Sequence, residues 1–576
     1  MRLFSFSVCC LICISGVAQN KSDADHQADL SRALQTDKAI YKVGETVLFS
    51  FKNELTQSLR IRYRHLDKIL EDHALSRAQW KWNPPGINFT GYLVELYLRS
   101  GAKDSVVASI AVDVSDDWSH FPRYGFLSKY GQLSANMIDS VIGFLNRCHI
   151  NGIQFYDWQS KHHQPLAGSV DAPSGQWKDI ANRDTYLKTV RDYISAAHRY
   201  DIKCMFYNLI YGVLKDASPD SVSETWYDYT DDQHRVKEVF HLPDWFVSDI
   251  FLMDPSNSNW QNYLALQNRK VYQVFDFDGY HVDQLGDRDK ALYNYNGQQI
   301  DMPSTFLPFM LAMKKFSPDK ALTMNSVNNY GQAGLAKSPV NFLYTEVWPP
   351  NDTYNDLVNI IKENDQLSNG KKKTVLTAYM DYKLSDSAGN FNTAGILFTD
   401  AVTFAWGATH LELGEHMLGR EYFPSDKLVM KEDLKRALIR YYDFQTAYEN
   451  LLAENGTWNH PIVYSKQLKL KSWPSGMGEV AIVGKTQINR QIIHLINFSQ
   501  ANSMEWRDSK GTQKEPLEVY HSEISLLETR PVKKIWFATP DMNSGSPVDL
   551  PFRQVKGSVY FSLPYLKYWD MLVVEF

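Results

Sequence analysis

The hydrophobic and polar positions of the chain follow three successive patterns. The first consists of short runs that alternate with a period of two and are separated by Gly, Pro and Asn, as in antiparallel strands. The second alternates short apolar runs with segments of helical spacing, and in the third the period of two returns. We predict one domain for each pattern: a small β-sandwich over residues 36–116, a larger domain of strands and helices over 118–453, and an antiparallel β-sandwich over 457–576.

Eight apolar runs mark the strands of the middle domain, and segments of helical spacing separate them. Strands that alternate with helices predict a parallel sheet covered by helices. Eight such units favour a closed (β/α)8 TIM barrel over an open doubly wound sheet, and no Gly-rich phosphate loop follows the first run. The runs are "RYGFLSKY", "GIQFYDW", "KCMFYNLIYG", "GYHVDQL", "ALTMNSV", "NFLYTEVW", "TVLTAYM" and "ATHLELG".

Several of these runs have acidic residues near their ends. Asp157 lies near the end of the second run, Asp283 near the end of the fourth and Glu346 near the end of the sixth. Glu412 and Glu415 lie at the end of the eighth run and just beyond it. In a (β/α)8 barrel, the loops at the carboxyl ends of the strands build the active site. We therefore predict a pocket there that is rich in carboxylates.

The alternation of side chains along a strand predicts which residues face the barrel interior. Because Tyr280 and Val282 suit the helix layer, His281 and Asp283 are expected to point inward. Asp283 can then converge with Glu346, from the sixth strand, on one substrate atom. Retaining glycoside hydrolysis needs such a pair: one carboxylate attacks the anomeric carbon and the other protonates the leaving oxygen, at a separation of about 5–5.5 Å.

The neighbours of the two acids suggest their roles. Glu346 lies beside Tyr344, Trp348 and two prolines, an apolar wall that would raise the pKa of the carboxyl and suit a proton donor. Asp283 lies beside polar residues that include His281, so we expect it to stay ionised and to act as the nucleophile.

Other polar residues near the strand ends have simpler interpretations. We expect Asp278 to open its strand and Asp287 to order the following loop. His162 and His163 are either sugar contacts at the pocket rim or surface residues, since no carboxylate completes a metal-binding spacing. We predict no metal and no cofactor. The sequence also lacks the Gly-x-Ser-x-Gly and His-Glu-x-x-His motifs of serine hydrolases and zinc proteases.

Composition and charge narrow the range of partners. The net charge is -6 and no Lys/Arg cluster is interleaved with aromatic residues, so we expect no nucleic-acid partner. Aromatic residues make up 13% of the chain, which suits stacking against sugars as well as packing in large cores. Cys148 and Cys204 lie in apolar segments and are expected to be inert core thiols rather than a disulfide framework.

The N-terminus has the pattern of an export signal. The apolar run "LFSFSVCCLICISGVA" follows Met-Arg and is shorter than the roughly 20 residues that a bilayer core requires. Small residues and then a polar stretch follow it, as at a cleavage site. We predict a signal peptide over residues 1–18, an exported bacterial protein (periplasmic, cell-surface or secreted), and no transmembrane span once the signal is removed.

Four stretches together, "GYHVDQLGDR", "FYDWQSKHHQPL", "YTEVWP" and "GATHLELGEHMLGREYFP", resemble glycoside hydrolase family 66, the endodextranases and cycloisomaltooligosaccharide glucanotransferases. The resemblance covers nearly the whole chain. It implies an immunoglobulin-like N-terminal domain, a catalytic (β/α)8 barrel and a C-terminal β domain. It implies Asp283 as the nucleophile, Glu346 as the acid/base and Asp157 as a residue that holds the sugar being cleaved.

The resemblance also implies further pocket residues. The predicted substrate-binding residues are Tyr156, Asp157, Trp158, His281, Trp348, His410 and Glu412. Trp158, Trp348 and Trp406 are candidates for stacking against sugar rings, with packing inside the barrel as the alternative for each.

The activity implied by the resemblance is internal cleavage of dextran, an α-1,6-linked polysaccharide, to isomaltooligosaccharides with retention. Family members that cyclise their products carry an extra module after the third strand, and the connection over residues 211–277 is too short for one, which favours hydrolysis. An α-amylase-type enzyme would need an acid on the fifth strand, where "ALTMNSVNN" has none. An exported glucan-binding protein without activity is the third alternative, although both predicted acids are retained.

Overall fold

The computed structural model describes residues 30–53, 58–101, 103–215, 217–421 and 425–576. The predicted signal peptide lies outside these residues. Within the described ranges, no helix combines the length and the apolar character needed to cross a membrane.

Two antiparallel sheets come first along the chain and share one hydrophobic core. The first sheet, in spatial order, consists of Leu34–Thr36, Val47–Phe51 and Gln79–Trp82. The second consists of Lys68–Ala74, Arg60–His65, Thr90–Ser100 and Lys103–Val114. Phe49 and Phe51 of the first sheet are buried and alternate with more exposed residues. Ile61 and Tyr63 of the second sheet are also buried. All four belong to the shared core.

Eight parallel strands form the middle of the molecule, and each overlaps one of the eight predicted runs. In chain order they are Tyr124–Leu127, Gly152–Phe155, Lys203–Leu209, Gly279–Asp283, Ala321–Met324, Leu343–Glu346, Thr374–Thr377 and Thr409–Leu411. The first five pair in sequence as one sheet and the last three as another. Parallel bridges join the two sheets at both seams, Asn325 with Tyr344 and Phe126 with Gly414. We call this closed circuit of pairings the strand ring.

Every connection between successive ring strands contains a helix. The helices are Ala135–Arg147, Leu187–Arg199, Ser258–Val274, Met302–Phe316, Gln332–Lys337, Tyr354–Ser368 and Thr393–Ala405, and Glu432–Ala447 and Glu449–Leu452 follow the last strand. Local sequence explains where several begin. The Ser134 side chain accepts the backbone N–H of Met137 and caps the first helix, and Thr353 and Asp356 form a capping box at another.

The connection after the third ring strand carries a small antiparallel sheet before its helix. The strands of this sheet are Gly212–Val213, Val239–Phe240 and Ile250–Leu252. Short pairs elsewhere are Gln176–Lys178 with Asp184–Tyr186, Leu292–Tyr293 with Gln299–Ile300, and Gly389–Asn390 with Leu428–Val429. Single 3-10 turns lie at Ser218–Asp220, Glu224–Trp226, Val327–Asn329 and Asn543–Gly545.

Two further sheets end the chain. The larger contains Thr457–Asn459, Leu470–Ser472, Val480–Gln487, Arg490–Asn497, Lys534–Ala538, Val548–Asp549 and Trp569–Glu575. The smaller contains Val463–Ser465, Val519–Leu527, Phe552–Val555 and Ser558–Leu566. Alternate residues of both, such as Ile482 and Phe561, share a second core.

Candidate active site

A pocket of about 410 Å³ opens at the carboxyl ends of the ring strands. Six of the residues predicted for the site line it: Tyr156, Asp157, His281, Asp283, Glu346 and Trp348. The sequence-based assignment of faces on the fourth strand agrees with the packing. His281 is buried between Tyr124 and Tyr344 of the ring interior, whereas Tyr280 stacks on Phe206 in the core shared with the helices.

Asn325 joins the two predicted catalytic carboxylates. Its Nδ2 donates to Asp283 Oδ1 at 2.7 Å and to Glu346 Oε2 at 2.8 Å. Because both oxygens contact one nitrogen, they lie no further apart than the sum of these distances, about 5.5 Å. That upper limit agrees with the carboxyl separation of retaining glycosidases and is shorter than the roughly 6.5–9.5 Å of inverting ones.

Each carboxylate also accepts a tyrosine hydroxyl. Tyr207 donates to Asp283 Oδ2 at 2.8 Å, and Tyr379 donates to Glu346 Oε1. Burial, followed by the nearby charge of Asp283, raises the pKa of Glu346 to about 7. Burial raises the pKa of Asp283 as well, but the hydrogen bonds from Asn325 and Tyr207 oppose that rise. These contacts oppose a rise in pKa at both carboxyls, and the nearby charge of Asp283 adds to the effect of burial at Glu346.

Asn325, Tyr207 and Tyr379 were missed by sequence analysis. The sequence-based prediction considered acidic residues at strand ends, and these three side chains are an amide and two phenols. A position-based signal was nevertheless available, since Asn325 directly follows the fifth strand and Tyr207 lies two residues before the end of the third. Carboxyl ends of parallel strands meet at the same face of a barrel, whatever side chain they carry.

Five buried polar atoms of the pocket lining form no hydrogen bond with the protein. They are Gln154 Oε1, Asp157 Oδ1, His162 Nε2, Gln284 Nε2 and Glu421 Oε2. His162 Nδ1 lies 2.9 Å from Asn208 Oδ1 and 3.2 Å from Gln159 Nε2. Burial lowers the pKa of His162 to about 4 and keeps the ring neutral. The pocket thus presents unpaired polar atoms, among them carboxylate and amide oxygens, to a ligand rich in hydroxyl groups.

His162 and His163 have separate environments. His162 lines the pocket, whereas His163 is buried and its Nε2 lies 2.9 Å from Asp220. Asp278 directly precedes the fourth strand, as predicted. It accepts the backbone N–H of Cys204 in the third strand and contacts His198. Cys148 and Cys204 are free thiols and are buried, and burial raises their thiol pKa values.

Trp158 does not line the pocket, which corrects its predicted role. The backbone of Asp157 has a left-handed conformation (φ 48°), so the alternation of the strand stops there and the next side chain turns away. The indole of Trp158 is fully buried against Trp177 and Phe275, and its Nε1 donates to Tyr207 O at 3.3 Å. Trp158 packs in the helix-side core.

His410 and Glu412 also lie outside the pocket. Both are fully buried behind the eighth strand, where His410 Nδ1 lies 2.9 Å from Asp400 Oδ1 and Tyr442 donates to Glu412 Oε1 at 3.1 Å. The interior position of this strand belongs to Leu411. Within a regular strand, an acid reaches the pocket when its position has inward parity.

Glu415 and Trp406 are likewise accounted for by packing. Glu415 accepts the backbone N–H and the hydroxyl of Ser128. Trp406 packs against Trp458 and Trp473, away from the pocket lining. Among the three tryptophans considered for stacking, Trp348 lines the pocket.

Two carboxyls this close, in a pocket with unsatisfied acceptors, are typical of a retaining glycosidase. The sequence profile of glycosyl hydrolase family 66 matches residues 36–573, and the chain belongs to this family. This confirms the resemblance noted from the motifs.

Relatives of both known activities are found. A cycloisomaltooligosaccharide glucanotransferase of Niallia circulans is 26% identical in an alignment with a total length of 711. The alignment covers 94% of this chain and 71% of the relative. A dextranase of Streptococcus salivarius is 25% identical, covering 65% of this chain and 51% of the relative. In fold, the chain is similar to a crystal structure of a Paenibacillus sp. cycloisomaltooligosaccharide glucanotransferase complexed with cycloisomaltoheptaose (TM-score 0.86, 23% identity, 94% of this chain and 99% of the other).

Proposed function

We propose that the protein is a retaining endo-dextranase, which cleaves internal α-1,6-glucosidic bonds of dextran to isomaltooligosaccharides. The observation that carries the proposal is the Asn325 bridge, which holds Asp283 and Glu346 within about 5.5 Å of each other. We further propose that the strand ring and its helices form the catalytic (β/α)8 barrel, flanked by an immunoglobulin-like domain and a C-terminal β-sandwich, and that the protein is exported.

In the first step, the Asp283 carboxylate attacks the anomeric carbon while Glu346 transfers its proton to the departing glucan oxygen. The raised pKa of Glu346 keeps that proton available near neutral pH. Asn325 and Tyr207 stabilise the ionised form of Asp283 and fix its orientation. The product of this step is a glycosyl ester of Asp283.

In the second step, the ionised Glu346 removes a proton from water, and the water oxygen displaces Asp283 from the anomeric carbon. Tyr379 then donates to a full negative charge on Glu346, which stabilises the base form. Two inversions at one carbon restore the original anomeric configuration. We assign to Asp157, whose Oδ1 has no hydrogen-bond partner in the protein, a hydrogen bond with a hydroxyl of the sugar being cleaved.

Cycloisomaltooligosaccharide synthesis is the second candidate, because the glucanotransferase relatives align over 94% of the chain. Hydrolysis and transfer share the first step and differ in whether water or a sugar hydroxyl attacks the ester. Two observations favour hydrolysis. The aligned length of 711 exceeds the 576 residues of this chain, so the glucanotransferase contains segments that have no counterpart here. The connection after the third ring strand holds only a small sheet and one helix.

The decisive experiment is incubation of the purified protein with dextran, followed by chromatography of the products. We expect linear isomaltooligosaccharides from the wild type and near-complete loss with Asp283→Asn and Glu346→Gln. Cyclic products would show that the protein is a glucanotransferase rather than a hydrolase. Cleavage of another glucan but not dextran would retain the mechanism and discard the substrate. Binding without any cleavage would support a glucan-binding protein.

A further inference from the structure

One wall of the pocket is apolar and continues to the protein surface. Ile180, Phe240, Leu242, Phe246 and Ile250 line the pocket on the side of the connections after the second and third ring strands. The carboxylate pair and the unsatisfied polar atoms belong to the same pocket lining. Apolar side chains of this kind can contact the carbon-bound hydrogens of sugar rings, whose hydroxyl groups point outward around the ring edge.

Trp245 lies where this wall reaches solvent. Its side chain is 46% exposed, although most tryptophans of the described chain are largely buried. The indole stacks on the ring of Phe246, with centroids 4.0 Å apart and planes inclined by 30°. Phe246 in turn lines the pocket. An exposed indole is therefore continuous with the apolar wall of the active site.

The loop that presents Trp245 is held by hydrogen bonds at its base and along its length. Asp249 accepts the backbone N–H of Leu242 at 2.9 Å and contacts His241 at 2.9 Å, and these bonds lower its pKa. The backbone N–H of Val247 donates to Ile180 O at 3.0 Å, which fastens the loop to the preceding connection. A loop fixed in this way loses little conformational freedom when a ligand binds.

We propose that Trp245 and Phe246 form a distal platform on which a dextran chain stacks after it leaves the catalytic pocket. The inference rests on the proposed glucan substrate and adds a binding site outside the pocket for the same chain. The ligand class is an α-1,6-glucan long enough to reach from the carboxylate pair to the rim. Such a platform contributes to affinity for the polymer and contributes less to affinity for a short oligosaccharide.

The test measures binding in the Asp283→Asn background, so that no turnover interferes. Titration calorimetry gives Kd for dextran and for isomaltotriose with Trp245→Ala, with Trp245→Phe, and with the control Tyr464→Ala. Tyr464 is 60% exposed and belongs to the C-terminal sheet. We expect Trp245→Ala to weaken dextran binding about five- to tenfold and isomaltotriose binding less. Trp245→Phe should recover part of the loss, and Tyr464→Ala should match the parent.

An unchanged Kd for dextran in Trp245→Ala, or equal weakening for both sugars, would overturn the platform. No dextran binding by the parent would overturn the platform and the substrate together. Dextran binding that depends on Trp245, combined with a wild-type protein that fails to cleave dextran, would refute the proposed activity alone.

Discussion

Asn325 holds Glu346 at two points: its Nδ2 donates to the carboxylate at 2.8 Å and its Oδ1 accepts the Glu346 backbone N–H at 3.2 Å. The same Nδ2 reaches Asp283. One amide therefore sets both the separation and the orientation of the two acids. Without it, two carboxyls would face each other with no donor between them, and like charges repel.

Asn325→Ala should therefore lower kcat by about 100-fold, a loss typical of removing one preorganised donor at a charged reacting group. KM should change little, since the amide contacts the carboxylates rather than the pocket rim. Steady-state kinetics on dextran would measure both constants. Asn296→Ala, an exposed position in the loop after the fourth ring strand, is the control. A kcat within threefold of the wild type would contradict the assigned role of Asn325.

The short distance between the carboxyls predicts the stereochemistry of the product. An inverting enzyme needs room for a water between its base carboxylate and the anomeric carbon. A carboxyl separation of at most about 5.5 Å leaves no such room, so the reaction should proceed through two inversions. Proton NMR during the first minutes of dextran cleavage should show the α-anomer at the new reducing end. Initial formation of the β-anomer would exclude Asp283 as a nucleophile.

The pH profile should depend on two different tyrosines. The proposed mechanism requires protonated Glu346, so kcat/KM should fall as pH rises through about 7. Tyr379 stabilises ionised Glu346; Tyr379→Phe should therefore raise its pKa and move the alkaline limb upward by about one pH unit. Tyr207→Phe is the matched variant: it removes the bond to ionised Asp283 and should move the acidic limb upward instead. Both substitutions shifting the same limb would contradict the assignment of the two roles.

Trp158 and Trp348 should respond differently to truncation. Trp158 is fully buried, so Trp158→Ala should destabilise the fold by about 3–5 kcal/mol. Trp348 lines the pocket, and Trp348→Ala should reduce activity on dextran with a much smaller change in Tm. Differential scanning calorimetry and kinetics on the same preparations separate the effects. Loss of activity in Trp158→Ala at full thermal stability would restore Trp158 as a substrate contact.

Arg123 connects the N-terminal sheets with the strand ring. Its guanidinium donates to Asp113, to Glu449 at 3.0 Å and to His149 O at 2.7 Å, and it is almost fully buried. Arg123→Met leaves two buried carboxyls without their cation and should cost about 3–5 kcal/mol of stability. Thermal unfolding would measure the loss. Arg99→Met, at an exposed position of the same N-terminal region, should cost less than about 1 kcal/mol. Equal losses would show that burial does not determine the effect.

The sequence by itself determined the positions of the eight ring strands and six of the residues that line the pocket. Strand-forming runs are a local property, since each short apolar segment must be buried wherever it lies. Parity within one strand is also local, which is why His281 and Asp283 were correctly placed on one face. The two acids could therefore be paired before any contact between them was known.

Only the tertiary structure decided which polar groups complete the site. The left-handed turn at Asp157 reverses the expected direction of Trp158, and the parity of the eighth strand sends His410 and Glu412 into the helix layer. Asn325 meets Asp283 and Glu346 because three separate strands end at one face. Side-chain direction after a strand ends, and contacts between distant segments, depend on the packing of the whole ring, which no local pattern encodes.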